Sequence, residues 1–345
     1  MSIPRSPTEA SSAARAATAA LITGCWSAQV ISAAVALGIP DQFGAGAARS
    51  ADLARAAGTH PCATFRLLRA MASLGLCTDL GAGRFELTEA GRFLRTDSPS
   101  SLVALARHWG TRTWAALAHL EETVRTGTAW AHGGREGFFS MAQRPEAAAV
   151  LNRSMVEQTL QVAGAIVDAY DFSAFENIID LGGGYGALLS VVLQKYPQLR
   201  GASADLAYME PQATAFLRES NLAARARFIA TDFFRSVPGG ADCYLLKYII
   251  HDWDDADCLE ILRNIRAAEA RAVVLIVERI VPERIEPARE STSVICGDIN
   301  MMVATGGVER TEREFRTLLE SAGFALSRIV PTPCEFCVLE ARPTS

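Results

Sequence analysis

One stretch of the chain ends an apolar run on groups that can move protons: Asp242-Cys-Tyr-Leu-Leu-Lys-Tyr-Ile-Ile-His-Asp-Trp253. His251 is one of five histidines and has Asp252 beside it. An imidazole, with an ordinary pKa near ~6.5, is a usable base and largely free of its proton at pH 7. Just past the carboxyl end of a strand, where ligands bind in parallel sheets, His251 is expected to do chemistry rather than to be a satisfied core histidine. A second stretch, Ile178-Ile-Asp-Leu-Gly-Gly-Gly-Tyr-Gly186, reads as a strand entering a glycine turn and then a helix. Gly182, Gly184 and Ala187 match G-x-G-x-x-A, and Asp205 follows Gly182 by 23 residues. Such glycines let backbone approach a cofactor without a Cβ, and such an acid accepts from ribose hydroxyls.

That pattern fits a nicotinamide dinucleotide or S-adenosylmethionine, since both carry an adenosine ribose. Three details favour the sulfonium compound. The loop starts at mid-chain, after a long helical region. Asp180 could face a cationic amino group, whereas it would repel a pyrophosphate. The next strand-like run ends Ile229-Ala-Thr-Asp-Phe-Phe234, which offers Asp232 to the adenine amino group and an aromatic ring to its face.

The elements around these stretches suggest α/β architecture. From Asn177 onward, strand-like and helical runs alternate: strands near 177–181, 201–205, 226–230, 242–249 and 272–278, with helices near 185–196, 211–221 and 254–269. A helix near 311–321 and strands near 324–330 and 336–340 close the chain. Repeated β-α units imply a doubly wound, Rossmann-like parallel sheet with helices on both faces, whose ligands bind beyond the strands' carboxyl ends. Residues 106–170 look helical and form a linker or pocket segment, so the catalytic domain is expected at 106–345. Residues 1–105 read as a separate, mostly helical domain. Ser50 is expected to cap a short helix, Pro61 to open a second, and Gly81-Ala-Gly83 to turn a β-hairpin, which together make a winged helix.

A winged helix can bind DNA. Residues 49–97 carry seven arginines against five acids, and the second helix lacks polar base-readers. The whole chain has 345 residues, a net charge of −5 and a pI of about 5.7, which advertises neither a nucleic-acid nor an anionic-membrane partner. Half its residues are hydrophobic and 21% charged, an ordinary globular balance. Eight irregularly spaced cysteines suit reduced thiols in the cytoplasm. No metal is expected. No charge occurs from Ala16 to Pro40, where Ile22, Trp26 and Val30 form an i, i+4 stripe. This segment is expected to be a helix buried against protein, a second subunit included, rather than a membrane span. Of 33 basic residues only Lys195 and Lys247 are lysines.

At this point the chain resembles the S-adenosylmethionine-dependent O-methyltransferases of the caffeate and hydroxyindole type, bacterial tailoring enzymes included. The matching stretches are Asp180-Leu-Gly-Gly-Gly-Tyr-Gly186, Asp205-Leu206, Thr231-Asp-Phe-Phe234, Leu246-Lys-Tyr-Ile-Ile-His-Asp-Trp253, Val277-Glu-Arg-Ile-Val-Pro282, Gly306-Gly-Val-Glu-Arg-Thr311 and Ser321-Ala-Gly-Phe324, with Asn152-Arg-Ser-Met155 and the winged front end. The resemblance implies that Asp205 and Leu206 hold the ribose, Asp232 and Phe233 the adenine, and that Asp180, Gly182, Gly184 and Lys247 lie along the cofactor. His251 would be the base, with Glu278 and Glu309 flanking it and one or the other orienting its ring. Met155, Asp252, Trp253, Met301 and Met302 would face the acceptor, although Trp253 by itself reads as packing. Where the family usually has Asp-Leu-Pro, this chain has Asp205-Leu206-Ala207, a less rigid loop. The implied activity is methyl transfer to a hydroxyl of an aromatic small molecule, by a homodimer joined through its front domain. Rival readings are N- or C-methylation on the same fold, a nicotinamide-dependent oxidoreductase, and a DNA-binding regulator.

Overall fold

The hairpin expected after Leu76 forms and recruits a third strand. Strands β1 (Ala48–Arg49), β2 (Cys77–Asp79) and β3 (Arg84–Leu87) pair antiparallel in the order β1-β3-β2. Helices Ser50–Ala56 and Pro61–Ser73 complete the winged helix, with Leu53, Leu68, Met71, Phe85 and Leu87 in one core. Ser50 needs a correction. It is the first helical residue, while extended Arg49 takes the cap position and makes no side-chain cap bond.

The computed structural model describes residues 9–130 and 134–344, which divide into units Met1–Trp114 and Ala115–Ser345. Residues 106–114 group with the first unit for a local reason: a Cβ on Gly110 would run into the side chain of Ser32. The uncharged segment forms helices Glu9–Thr23 and Cys25–Ala36. Ser32, Ala34 and Val35 are buried and Val30 packs on the front core, but Leu21, Ile22 and Trp26 are 82%, 74% and 70% exposed. The expected stripe is thus covered by this chain only at its C-terminal end. By length and composition alone, Ser11–Ala36 is also apolar enough to cross a membrane.

In the second unit, β4 (Asn177–Leu181), β5 (Arg200–Asp205), β6 (Ala226–Ala230), β7 (Cys243–Lys247), β8 (Val273–Glu278), β9 (Phe324–Pro331) and β10 (Cys337–Pro343) form one sheet in the order β6-β5-β4-β7-β8-β10-β9. β4 to β8 pair in parallel, as expected. β10 departs from the pattern and runs antiparallel to both β8 and β9. Its physical reason is the short connection from β9, which can make a hairpin but not a crossover.

Each face of this sheet carries its own core. One holds Leu181, Leu246, Trp253, Ile261, Leu262 and Phe315. The other holds Ile166, Ile178, Leu189, Leu245 and Val277 under helices Pro145–Ala169 and Ala187–Lys195. β4 lies between β5 and β7, so the chain reverses its direction of travel across the sheet there. Such a switch point opens a crevice at the strands' carboxyl ends. Helix Arg289–Ala304, which no expected element covered, supplies residues on that side.

Candidate active site

The chain leaves β7 through a strained residue. Tyr248 has φ +57, a left-handed value that ordinary side chains seldom adopt. The turn ends the strand two residues before its expected limit and leads into the short helical turn Ile250–Asp252, where the imidazole of His251 is 5% exposed. The rings of Tyr248 and His251 stack with centroids 4.6 Å apart and planes 7° apart.

Two glutamates hold His251 in different ways. Glu278, at the end of β8, accepts from the backbone N–H groups of Ile249 at 3.2 Å and His251 at 3.1 Å through Oε1. It fixes the main chain and does not touch the ring. Glu309 Oε1 lies 3.0 Å from His251 Nδ1 and fixes the ring itself. Of the two acids, only Glu309 is hydrogen-bonded to the ring among the described residues. Nε2 makes no hydrogen bond among the described residues; its nearest charged neighbour is Asp252 Oδ1 at 3.8 Å. Burial draws the imidazole's pKa down, but Asp252, Glu309 and Glu278 outweigh it, and the net shift is upward from 6.5. Burial pushes Asp252 up to about 7 despite the opposing pull of His251.

Two arginines brace the set. Arg279 donates to the same Glu309 Oε1. Arg310 is almost wholly buried and donates to the carbonyls of Ile250 and Trp253 at 2.9 Å each, and to Asp255 at 2.8 Å. The turn bearing His251 is thus tied to the segment bearing Glu309. Gly307 makes that approach possible: a Cβ there would run into the His251 carbonyl and lie 2.8 Å from Asp252 Cα. Val308 N–H donates to the His251 carbonyl at 2.9 Å.

The glycine turn lies at the end of β4. Gly182 and Gly184 have φ +70 and +56, and Gly183 sits so close over Asp180 that a Cβ would be 2.5 Å from its carboxyl carbon. Gly184 N–H donates to Asp205 Oδ2 at 2.9 Å and Leu206 N–H to Oδ1 at 2.7 Å. That second bond and the helical turn Ala207–Met209 order the loop that lacks the family's proline. Burial raises Asp180 to about 7 and Asp205 to about 6, while it lowers Lys247 to about 7 against the pull of Asp180 and Glu278. Lys247 Nζ stands 4.0 Å from the centroid of the Tyr248 ring and 5.3 Å from that of Phe336. Asp232 Oδ1 accepts from Phe234 N–H at 3.0 Å, and Phe233 packs edge-on to Phe234 and Trp253.

Against this geometry, comparison with known proteins is specific. Residues 114–325 match the O-methyltransferase domain model and residues 19–97 the O-methyltransferase dimerisation domain model. This chain belongs to the S-adenosylmethionine-dependent O-methyltransferases. It is 39% identical over 330 residues to the O-demethylpuromycin-O-methyltransferase of Streptomyces alboniger, covering 94% of this chain and 88% of that one. It is 38% identical over 326 residues to the phenazine O-methyltransferase of Lysobacter antibioticus, covering 94% of each. The crystal structure of human N-acetylserotonin methyltransferase in complex with S-adenosylmethionine superposes with a TM-score of 0.88 at 25% identity, over 99% of this chain and 100% of that one.

The methyltransferase site fits its cofactor on its own chemistry. Asp205 ends β5 and Asp232 lies two residues past the end of β6, each with lone pairs to spare for ribose and adenine donors. Asp180 is a buried carboxyl whose charge a cationic amino group would restore. The left-handed glycines bring backbone, not side chains, to the space between.

Not every expected site residue joins these clusters. Trp253 is corrected to packing: it is 4% exposed and enclosed by the rings of Phe138, Phe233 and Phe234. Met155 is half-buried on helix Pro145–Ala169, and Met301 and Met302 are half-buried on helix Arg289–Ala304. None belongs to the hydrogen-bonded set. Asp298 connects the second helix to it by accepting from Glu309 N–H at 2.9 Å, and residues three and four later share its face. Among the described residues, no three acids, histidines or cysteines gather as a metal site. Sequence reasoning missed Arg279, Asp298 and the aromatic floor at Tyr248. Only the adjacency of Arg279 to Glu278 signalled any of them.

Proposed function

We propose that this methyltransferase transfers a methyl group to a hydroxyl of an aromatic small molecule, with His251 as general base. The observation that carries the reading is the Nδ1 to Glu309 contact of 3.0 Å, which turns the opposite nitrogen into an uncommitted proton acceptor. When bound, S-adenosylmethionine would supply an electrophilic methyl on a positively charged sulfur, the sulfur–methyl bond breaking to leave a neutral thioether. A phenol, like tyrosine, has a pKa near ~10, so at neutral pH about one molecule in a thousand is ionised. His251 Nε2 takes the hydroxyl proton as the oxygen–carbon bond forms. Glu309 keeps the hydrogen on Nδ1 and stabilises the imidazolium, in the orienting role of the acid in a hydrolase triad. Glu278 holds the backbone beneath the ring. Asp205, Leu206, Asp232 and Phe233 bind the adenosine; Asp180 and Lys247 meet its charged end.

Asp252, Met155, Met301 and Met302 line the acceptor side, where flexible thioethers suit aromatic surfaces. The names of the puromycin and phenazine relatives support an aromatic acceptor. The match of residues 19–97 to a dimerisation domain supports a homodimer, and the bared Ile22 and Trp26 give it an apolar seam. The enzyme would work in the cytoplasm on a small molecule, without nucleic acid or membrane. A labelled-methyl assay against a panel of phenols and arylamines, with product mass, tests the reading. Transfer to oxygen is expected; transfer confined to nitrogen, or none to any aromatic acceptor, overturns it.

A further inference from the structure

Three acids surround one imidazole. Glu309 pairs with Nδ1, Glu278 accepts from the backbone beneath the ring, and Asp252 lies 3.8 Å from Nε2. Each favours a proton on the ring. A base has to be free of that proton, so the site requires a cation that opposes it without taking the place of the acceptor. The other charged groups near the ring are committed. Lys247 faces Asp180 and the Tyr248 ring, Arg310 serves two carbonyls and Asp255, and Asp298 accepts from Glu309 N–H.

Arg279 remains, and its surroundings are built around it. Its guanidinium donates through Nη2 to the Glu309 oxygen that also faces His251 Nδ1. Nη1 lies 3.8 Å from Glu335, which is itself held by Ser293 at 2.6 Å. The guanidinium carbon is 5.5 Å from the centroid of Tyr248, the ring on which the imidazole stacks. On the helix side Gly297 leaves the room: a Cβ there would fall 2.8 Å from that same carbon. We infer that Arg279 is a positioning residue for His251, acting through the Glu309 oxygen that both groups hydrogen-bond.

The physical effect has two parts. Shared with a guanidinium, that oxygen draws less strongly on an imidazolium proton, so His251 releases it more readily. The fixed fork of Arg279 also prevents Glu309 from rotating, which keeps the Nδ1 hydrogen aligned and Nε2 turned to the acceptor. Arg279 therefore balances three acids that would otherwise hold the base in its charged, useless form. This inference rests on the reading of His251 as base.

The test needs no acceptor. The protein is labelled in its histidine rings, the His251 signal is assigned by its loss in His251→Asn, and the free enzyme is titrated by NMR. Arg279→Gln should move the His251 midpoint upward by about one pH unit, while Arg279→Lys, which keeps the charge, should stay within about a third of a unit. Gly297→Ala removes no charge and suits a helix, yet displaces the guanidinium, and should shift the midpoint upward by less. It decides the matter if Arg279→Gln fails to fold. A midpoint unmoved or lowered in the folded variants overturns the inference. The base reading is tested separately by methyl transfer in His251→Asn: retained transfer would remove the base role and leave the effect of Arg279 on the titration standing.

Discussion

At the residue scale, the two glutamates beside His251 do different work, and their replacements should differ. Glu309→Gln removes the charge that stabilises the imidazolium and should lower turnover by about 10²–10³-fold with the cofactor still bound, within the range of general-base effects. Glu278→Gln keeps an oxygen for the two backbone N–H groups and should cost less. Equal losses in steady-state assays would contradict the division. A base with a raised pKa also sets the pH dependence. On the proposed base role the neutral form is the active one, so rate should fall as pH drops through a midpoint raised above the ordinary histidine value of 6.5. A rate profile flat down to pH 5.5 would contradict the assignment. Of the two lysines, Lys247 is half-buried against two aromatic rings and feels the charges of Asp180 and Glu278, whereas Lys195 bridges the exposed Asp168 and the Val167 carbonyl near a helix end. Lys247→Arg, which puts a planar group where a slender stem fits, should weaken cofactor binding by about tenfold, and Lys195→Arg should leave it unchanged by calorimetry.

At the element scale, the site depends on two loops that touch backbone to backbone. Gly307→Ala would push segment 307–309 away from His251 and pull Glu309 off Nδ1. Turnover should fall by at least about tenfold, with cofactor affinity at the β4 and β5 ends preserved. An unchanged rate in that variant would show that the segment has slack. This contact also marks the limit of what the sequence could tell. The parallel strands were legible because most are apolar runs that give way to glycine or to charged and titratable residues, and His251, Asp205 and Asp232 were legible because they stand at or just past those ends. β10 was legible as a strand near 336–340, but its antiparallel place between β8 and β9 was not, because the repeated β-α units before it suggested a parallel sheet and pairing partners are not written in local pattern. Arg279 and Arg310 were hidden among 31 arginines, and the tasks of Gly297 and Gly307 exist only where two segments meet. Trp253 carried a motif position but belongs to the core, since three phenylalanine rings enclose it.

At the scale of the whole molecule, the front unit exposes what its own chain does not cover. Ile22, at the end of helix Glu9–Thr23, and Trp26, at the start of helix Cys25–Ala36, lie in the uncharged segment inside the match to the dimerisation domain, and their exposure is costly unless a second surface covers them. Deletion of residues 1–40 should give monomer or aggregate by size-exclusion chromatography with light scattering. An intact soluble dimer from that truncation would contradict the proposed seam.

The catalytic unit carries the central claim, which is that one imidazole, aimed by Glu309, takes the acceptor's proton while a separate set of residues holds the cofactor. The most direct test pairs two measurements on His251→Ala: cofactor affinity by calorimetry and single-turnover methyl transfer to a phenolic acceptor at pH 7. The account predicts wild-type affinity and a transfer rate lower by about 10²–10⁴-fold. Transfer at close to the wild-type rate would contradict it.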